Sequence, residues 1–296
     1  MQVMDIEHRL TLADGRTLAC LELGEPAGPP VVYLHGYPDS RLEARLAARA
    51  ADRLRVRLLA PDRPGFGEST FQPGRTIGLW GADMLRLADA FALERFAVLG
   101  VSGGGPYALA CAARLPERVS RVALAGGLGP PARKDLVAGM VATHRLALAA
   151  GLHMPRLARL AIDLAARVVR RHPERFLAHM LTITCPPDRE VLADSGYRKL
   201  MLESTVAALR QGGRRVAHEL TLLARPWDIR LDEVRAPVTI WQGGADNIVP
   251  AAMARYLAGA LARSELHCLP EEGHLSLIVR HADRVFADLT QATEER

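Results

Sequence analysis

Lysine is almost missing from this 296-residue chain, with Lys134 and Lys199 the only two, and aromatic residues make up only 5%. Nucleic-acid surfaces interleave aromatic rings with dense basic runs. No such interleaving occurs here, so a nucleic-acid partner is not expected despite a net charge of +5. Arginines supply nearly all the positive charge and are spread among acids along the chain, which argues against an anionic partner. Cysteine is sparse too: Cys20, Cys111, Cys185 and Cys268 lie far apart and lack the short paired spacing of a zinc site. Cys111 and Cys268 fall in apolar stretches, where buried free thiols are expected. No metal ligand cluster and no cofactor motif is present, so neither group is expected. No apolar run reaches membrane-spanning length without a charge, and the best candidate, residues 137–152, is interrupted by His144 and Arg145. Residues 1–7 are charged and unlike a secretory signal. The expectation is a cytoplasmic protein with reduced thiols, monomeric or homodimeric, with no membrane partner.

What the chain does contain is a hydrophobic content of 49%, enough for a full core, punctuated by 25 glycines and 19 prolines. Short apolar runs repeatedly end in turn-forming residues. Val31-Val32-Tyr33-Leu34 runs into His35-Gly36-Tyr37-Pro38, and Val56-Arg57-Leu58-Leu59-Ala60 into Asp62-Arg63-Pro64-Gly65-Phe66-Gly67. Arg95-Phe96-Ala97-Val98-Leu99 leads to Gly100-Val101-Ser102-Gly103-Gly104, Val238-Thr239-Ile240-Trp241 leads to Asp246, and Leu266-His267-Cys268-Leu269 leads to Gly273-His274. Strand-like runs alternating with helical stretches imply an α/β fold: a mostly parallel central sheet flanked by helices, with its site at the carboxyl ends of the strands.

Gly100-Val101-Ser102-Gly103-Gly104 is the most informative segment. A serine between small residues, where an apolar strand meets an Ala-rich helix, reads as a nucleophile elbow: the tight turn lifts the hydroxyl clear of the backbone. It also aims the Gly103 N–H and the helix N-terminus at a developing negative charge. Asp246 is a carboxylate at a strand end, although it could instead cap the helix beginning near Val249-Pro250. Ala125-Gly126-Gly127-Leu128-Gly129, after the strand before the middle segment, offers no competing acid.

In these motifs and their order the chain resembles the α/β-hydrolase superfamily over nearly its whole length, apart from a middle insertion. The resemblance implies Ser102 as nucleophile, His274 as general base and then acid, and Asp246 as the carboxylate orienting His274. It further implies an oxyanion hole from the backbone N–H groups of Tyr37 and Gly103, with Gly100 and Gly104 shaping the elbow. His35 and Gly36 then support the oxyanion loop, while Asp62 and Arg63 hold their own turn. Epoxide hydrolases and haloalkane dehalogenases of the superfamily carry an aspartate nucleophile where this chain has Ser102. Prolyl aminopeptidase-like members have tryptophan beside the nucleophile, where Val101 and Gly103 stand here.

The organisation expected is a core over residues 1–129 and 231–296, holding a leading hairpin and three parallel strands before the insertion. A helical lid is expected over 130–230, bounded by Pro130-Pro131 and Arg225-Pro226-Trp227. Its helices are expected near 134–150, 155–171, 173–184, 188–211 and 216–224, with core helices near 76–92, 104–115 and from 275 onward. Met140, Met180 and Met201 are candidate linings of an apolar, adaptable pocket. The function expected is a carboxylesterase-like serine hydrolase acting on a small to medium apolar ester or acyl substrate through an acyl-enzyme. The alternatives are cofactor-free haloperoxidase or perhydrolase chemistry, and a ligand-binding protein that keeps the fold.

Overall fold

The computed structural model describes residues 5–131, 133 and 135–291. Eight strands form one sheet: β1 (Ile6–Thr11), β2 (Thr17–Gly24), β3 (Pro30–Leu34), β4 (Arg57–Pro61), β5 (Phe96–Val101), β6 (Val119–Ala125), β7 (Val238–Gly243) and β8 (Ser264–Leu269). Their order is β1-β2-β4-β3-β5-β6-β7-β8. The β1–β2 hairpin and the β2–β4 pair are antiparallel, and the other neighbours are parallel. Because central parallel strands are covered on both faces, they read as continuous apolar runs, as β5 does with every residue buried.

The covering helices are α1 (Ala48–Arg53), α2 (Trp80–Ala90), α3 (Gly105–Arg114), α10 (Ala251–Ala260) and α11 (His274–Leu289). One face packs Trp80, Met84, Leu109, Met253 and Leu257 from α2, α3 and α10. The other packs Ala50 and Ala51 of α1 with Val285 and Phe286 of α11. Between β6 and β7 lie six further helices: α4 (Ala142–His153), α5 (Pro155–Arg171), α6 (Pro173–Ile183), α7 (Pro186–Val191), α8 (Ser195–Ala208) and α9 (Gly213–Ala224). Proline opens α5, α6 and α7, where its fixed φ suits the first helical turn and its missing N–H costs nothing. α5 and α9 pack closely at Gly213, where a Cβ would sit 2.6 Å from the Asp163 Cα.

Several boundaries differ from expectation. Four parallel strands precede the insertion instead of three, because β6 belongs to the same set. The helix expected at 134–150 starts at Ala142 and runs to His153; Lys134 itself lies outside the described residues, as do residues 1–4. The stretch 188–211 is two helices, broken where the Asp194 carboxylate accepts the Gly196 N–H at 2.6 Å and the Tyr197 N–H at 3.3 Å, capping α8. Cys268 is exposed and not in the core, because β8 is the sheet edge. Among the described residues no helix is long and apolar enough to cross a membrane.

Candidate active site

Ser102 sits between β5 and α3 with φ 53°, one of three non-glycine residues with positive φ among those described. This strained backbone is the sharp strand-to-helix turn that presents a side chain at the sheet's carboxyl edge. Glycine is required around it for clearance. A Cβ on Gly104 would collide with the Leu34 carbonyl, and one on Gly100 would come within 2.8 Å of the Ala108 Cβ.

The loop after β8 brings His274 to the same edge, where its Nδ1 lies 2.7 Å from Asp246 Oδ2. The other carboxylate oxygen of Asp246 accepts the N–H groups of Ile248 and Val249, both at 2.8 Å. Asp246 therefore holds the turn before α10 with one oxygen and the imidazole with the other. Gly126, at the end of β6 with φ +55°, leaves room for the pair: a Cβ there would lie 3.0 Å from His274 Nδ1 and 3.3 Å from Asp246 Oδ2. No hydrogen bond joins His274 to Ser102 among the described residues; the contacts of His274 run to Asp246 and Asp188. Such bonds commonly tighten only when substrate is bound.

Asp188, from α7 of the insertion, was not anticipated. Its carboxylate accepts the N–H of His274 at 3.0 Å and those of Leu275 and Ser276 at 2.9 Å, capping α11 from outside its own chain segment. Gly273 has no side chain to serve as cap, and a Cβ there would strike Cys185 and Asp188. Burial works against a charged His274. The Asp246 charge and hydrogen bond, with the charges of Asp188 and Glu43 behind them, outweigh that cost and raise its pKa to about 9.

Across the cavity the loop after β3 carries Gly36 and Tyr37. A Cβ on Gly103 would lie 2.9 Å from the Tyr37 Cβ and 3.3 Å from its backbone nitrogen, so these two backbones face one another beside Ser102. His35 is fully buried; its Nδ1 lies 2.9 Å from the Gly36 carbonyl and its Nε2 accepts the Arg63 N–H at 3.2 Å, which fixes the Nδ1–H tautomer. Burial, then the Arg63 charge, keeps His35 neutral. The Arg63 guanidinium also donates to the carbonyls of His35 and Gly36 and pairs with Glu219 of α9. Glu219 pairs in addition with Arg75 and accepts the Tyr107 hydroxyl at 2.9 Å. Burial alone would raise Glu219, but the two guanidinium charges dominate and hold it at about 2. Asp62 accepts from Arg41 and from the Glu68 N–H, holding its turn as expected. Arg63 does more than hold its turn.

Glu43, in a 3₁₀ turn (Arg41–Leu46), accepts the Gly36 N–H at 2.7 Å, so that N–H is not available to a ligand. The Ser40-Arg41-Leu42-Glu43 pattern reads as a capping box, which conceals this longer reach. Burial, reinforced by neighbouring Asp39, pushes Glu43 up to about 8, and burial raises Asp39 to about 6.

Ser102, His274, Tyr37, Asp39 and Glu43 open onto one cavity of about 470 Å³ whose remaining walls are mostly aliphatic side chains of the insertion. Met180 and Met201 are among its lining residues. Met140 is not: it lies in the core cluster that holds Leu136, Val249 and Met253, because residues 135–140 form turns against the sheet domain instead of a helix over the cavity. Among the described residues no group of three or more His, Cys, Asp or Glu side chains is arranged to hold a metal ion.

Comparison with known proteins places this geometry in context. The chain is 31% identical over 266 residues to the dihydrolipoyllysine-residue acetyltransferase component of an acetoin cleaving system from Pseudomonas putida, a match covering 88% of this chain and only 62% of that protein. It is 28% identical to a 2-hydroxymuconate semialdehyde hydrolase of Pseudomonas putida, over 96% of this chain and 92% of that one. A hydrolase from Pseudomonas aeruginosa PA01 shares the fold with a TM-score of 0.71 at 22% identity, over 97% of this chain and 98% of that chain. A model of the alpha/beta hydrolase fold matches residues 29–280, and the chain belongs to that family.

Proposed function

We propose that the protein is a serine hydrolase that cleaves a carboxylic ester of an apolar acyl or alcohol group through an acyl-enzyme, with the insertion over residues 130–230 acting as a lid. The observation that carries this reading is Ser102 at φ 53° on the floor of the cavity that His274, paired to Asp246, also lines. In the proposed cycle His274 takes the Ser102 proton as Oγ attacks the carbonyl. The backbone N–H groups of Tyr37 and Gly103 receive the developing oxyanion, and His274 returns the proton to the departing alcohol. Water, activated by the same imidazole, then releases the acid. The mostly aliphatic walls supported by Met180 and Met201 favour apolar substrates.

Hydrolysis of a 2-hydroxymuconate semialdehyde, the activity named for one relative, is a second reading because that relative aligns over 92% of its length. The cavity lining disfavours the anionic compound that this name describes. It holds the acidic side chains of Asp39 and Asp188, with Glu43 uncharged at neutral pH because its pKa is raised to about 8, and neither arginine nor lysine among the described residues. The deciding experiment is a panel of graded acyl esters run beside a 2-hydroxy-6-oxo-dienoate, a peroxide-dependent oxidation and fluorophosphonate labelling. Ester turnover with labelling at Ser102 supports the proposal. Dienoate cleavage without ester turnover, peracid formation alone, or absence of labelling would each replace it with the corresponding alternative.

A further inference from the structure

The chain's whole excess of positive charge lies in one stretch. Residues 142–183, which form α4, α5 and α6, hold seven arginines between Arg145 and Arg175 against two acids, Asp163 and Glu174. That difference equals the +5 of the entire protein, so the remaining residues carry as many acids as bases. The even spread of arginine along the sequence conceals this imbalance.

The same stretch carries most of the exposed large hydrophobic side chains. Among the described residues nine are exposed, and six of them, Leu146, Met154, Leu157, Leu160, Leu164 and Val168, lie on or between α4 and α5. On α5 the four at 157, 160, 164 and 168 fall within an arc of roughly 80° at 100° per residue. They are between 47% and 65% exposed. Ala158, Ala166 and Val169 face inward, and Ile162 and Val169 line the cavity. Arg156, Arg159, Arg167 and Arg170 occupy the flank next to the leucine stripe and Arg171 ends the stripe itself, and Arg156, Arg159 and Arg171 form no ion pair among the described residues. The helix is thus apolar on two faces, one toward the cavity and one toward solvent, with a basic margin beside the outer one.

We propose that the outer face of α4 and α5 docks on an anionic phospholipid surface. A helix lying in the interface plane needs aliphatic residues that enter the acyl boundary and cations that meet the headgroup charge, and α5 presents both side by side. Long arginine stems allow the guanidinium groups to reach headgroups while the leucines go deeper. A second copy of the chain fits the face less well, since pairing two such surfaces brings two sets of arginines together. The docking lies on the surface and does not span, because no described helix is long and apolar enough to cross a membrane. Docking is independent of the hydrolase reading, and its test does not measure turnover.

The test is sedimentation of the full chain with phosphatidylglycerol-rich vesicles and with pure phosphatidylcholine vesicles, at low and high salt. Binding to the first and not the second is expected, weakened by salt. The variant L160S/L164S should lower vesicle partitioning at least tenfold. R156Q/R159Q/R171Q should lower it by roughly fivefold per arginine removed. Unchanged thermal midpoints will show that both variants fold, as expected for exposed positions. Failure of the wild-type chain to bind anionic vesicles, or undiminished binding by both variants, would overturn the proposal. So would a dimer in solution that L160S/L164S converts to a monomer, which would assign the face to a second copy.

Discussion

The Asp188 carboxylate, carried by α7 of the insertion, accepts the backbone N–H of His274 at 3.0 Å although the two residues are 86 positions apart. One helix start is thereby finished by a side chain from a different part of the chain, and that helix carries the proposed base. Removing the cap should disturb stability and chemistry together. Asp188→Ala should cost about 1–2 kcal/mol of stability, as helix-cap losses do, and lower kcat at least tenfold. Asp188→Asn keeps an acceptor oxygen and should recover much of the stability. It removes a charge that raises the His274 pKa, so the rising limb of the kcat/KM–pH profile should move to lower pH. An unshifted limb in a folded Asn variant would separate Asp188 from the imidazole.

As the proposed base, His274 should impose an alkaline requirement on activity. With its pKa raised to about 9, the imidazole is mostly protonated at neutral pH, and ester hydrolysis should increase as pH rises toward 9. A profile flat from pH 6 upward would contradict the geometry around the base.

Stability should move in the opposite direction. His274, Glu43 and Asp39 all have folded pKa values above their ordinary ones, at about 9, 8 and 6, so each stabilises the fold fully only below its unfolded value, and that contribution is lost as pH rises through the folded one. Glu219, held at about 2, contributes above its unfolded value of 4.5 and loses this as pH falls toward 2. Buried His35, held well below its ordinary value, likewise loses its contribution as pH falls below 6.5 and offsets Glu43 and Asp39 there, so the thermal midpoint should decline from pH 6.5 toward 9 and fall again as pH drops toward 2. Glu43→Gln should flatten the part of the alkaline decline between pH 6.5 and 8, measurable by calorimetry.

Much of this site is legible in sequence wherever one short segment contains the whole cause. Ser102 and its glycines announce their own turn, and the strand ends before Asp246 and His274 are marked by glycine and a change of pattern. Asp188 and Glu219 carry no such mark, because each acts on a partner far along the chain: Glu219 meets Arg63 across 156 positions. On α9 Glu219 looks like an ordinary polar residue, and only packing shows that it is fully buried between two guanidinium groups. Met140 misleads for a related reason. Its neighbours suggest helical continuity, whereas the turns before Ala142 fold it back into the core.

Glu219 also links α9, through Arg63, to the His35-Gly36 loop that carries the proposed oxyanion donor, so its loss should reach the chemistry. Glu219→Ala leaves two buried guanidinium groups without their counter-charge and should destabilise by about 3–5 kcal/mol. Glu219→Gln preserves shape and should fold better, yet weaken the hold of Arg63 on the His35 and Gly36 carbonyls. Its kcat should fall more than its KM rises, since the oxyanion site serves the transition state. A pure KM effect would count against this link.

Ser102→Ala should abolish fluorophosphonate labelling and lower ester turnover by roughly three to six orders of magnitude without unfolding the chain. His274→Ala should behave similarly, and the double variant should cost little more than either alone, because nucleophile and base act as one unit. Asp246→Asn retains an oxygen for the Ile248 and Val249 N–H groups, so its stability should hold while kcat drops through the wrong imidazole tautomer. Additive losses would argue against a triad.

The final prediction concerns the cavity and discriminates among the three methionines. Met180 and Met201 line a space of about 470 Å³, whereas Met140 is packed in the core. Each added methylene of acyl chain should gain up to about 0.8 kcal/mol until the space is full, so kcat/KM should rise over short chains and fall once the chain outgrows the pocket. Anionic acyl groups should be poor throughout, because the lining holds Asp39 and Asp188 and, among the described residues, no arginine or lysine to pair with them. Met180→Ala and Met201→Ala enlarge the cavity and should move the preferred chain length upward with little change in the best rate. Met140→Ala should leave the preference where it is and instead lower stability by about 2–5 kcal/mol, the usual result of emptying a core position. Chain-length profiles of the three variants, measured beside their unfolding midpoints, test both halves. A shift in preference from Met140→Ala equal to that from the other two would mean that the cavity is lined differently from this structure.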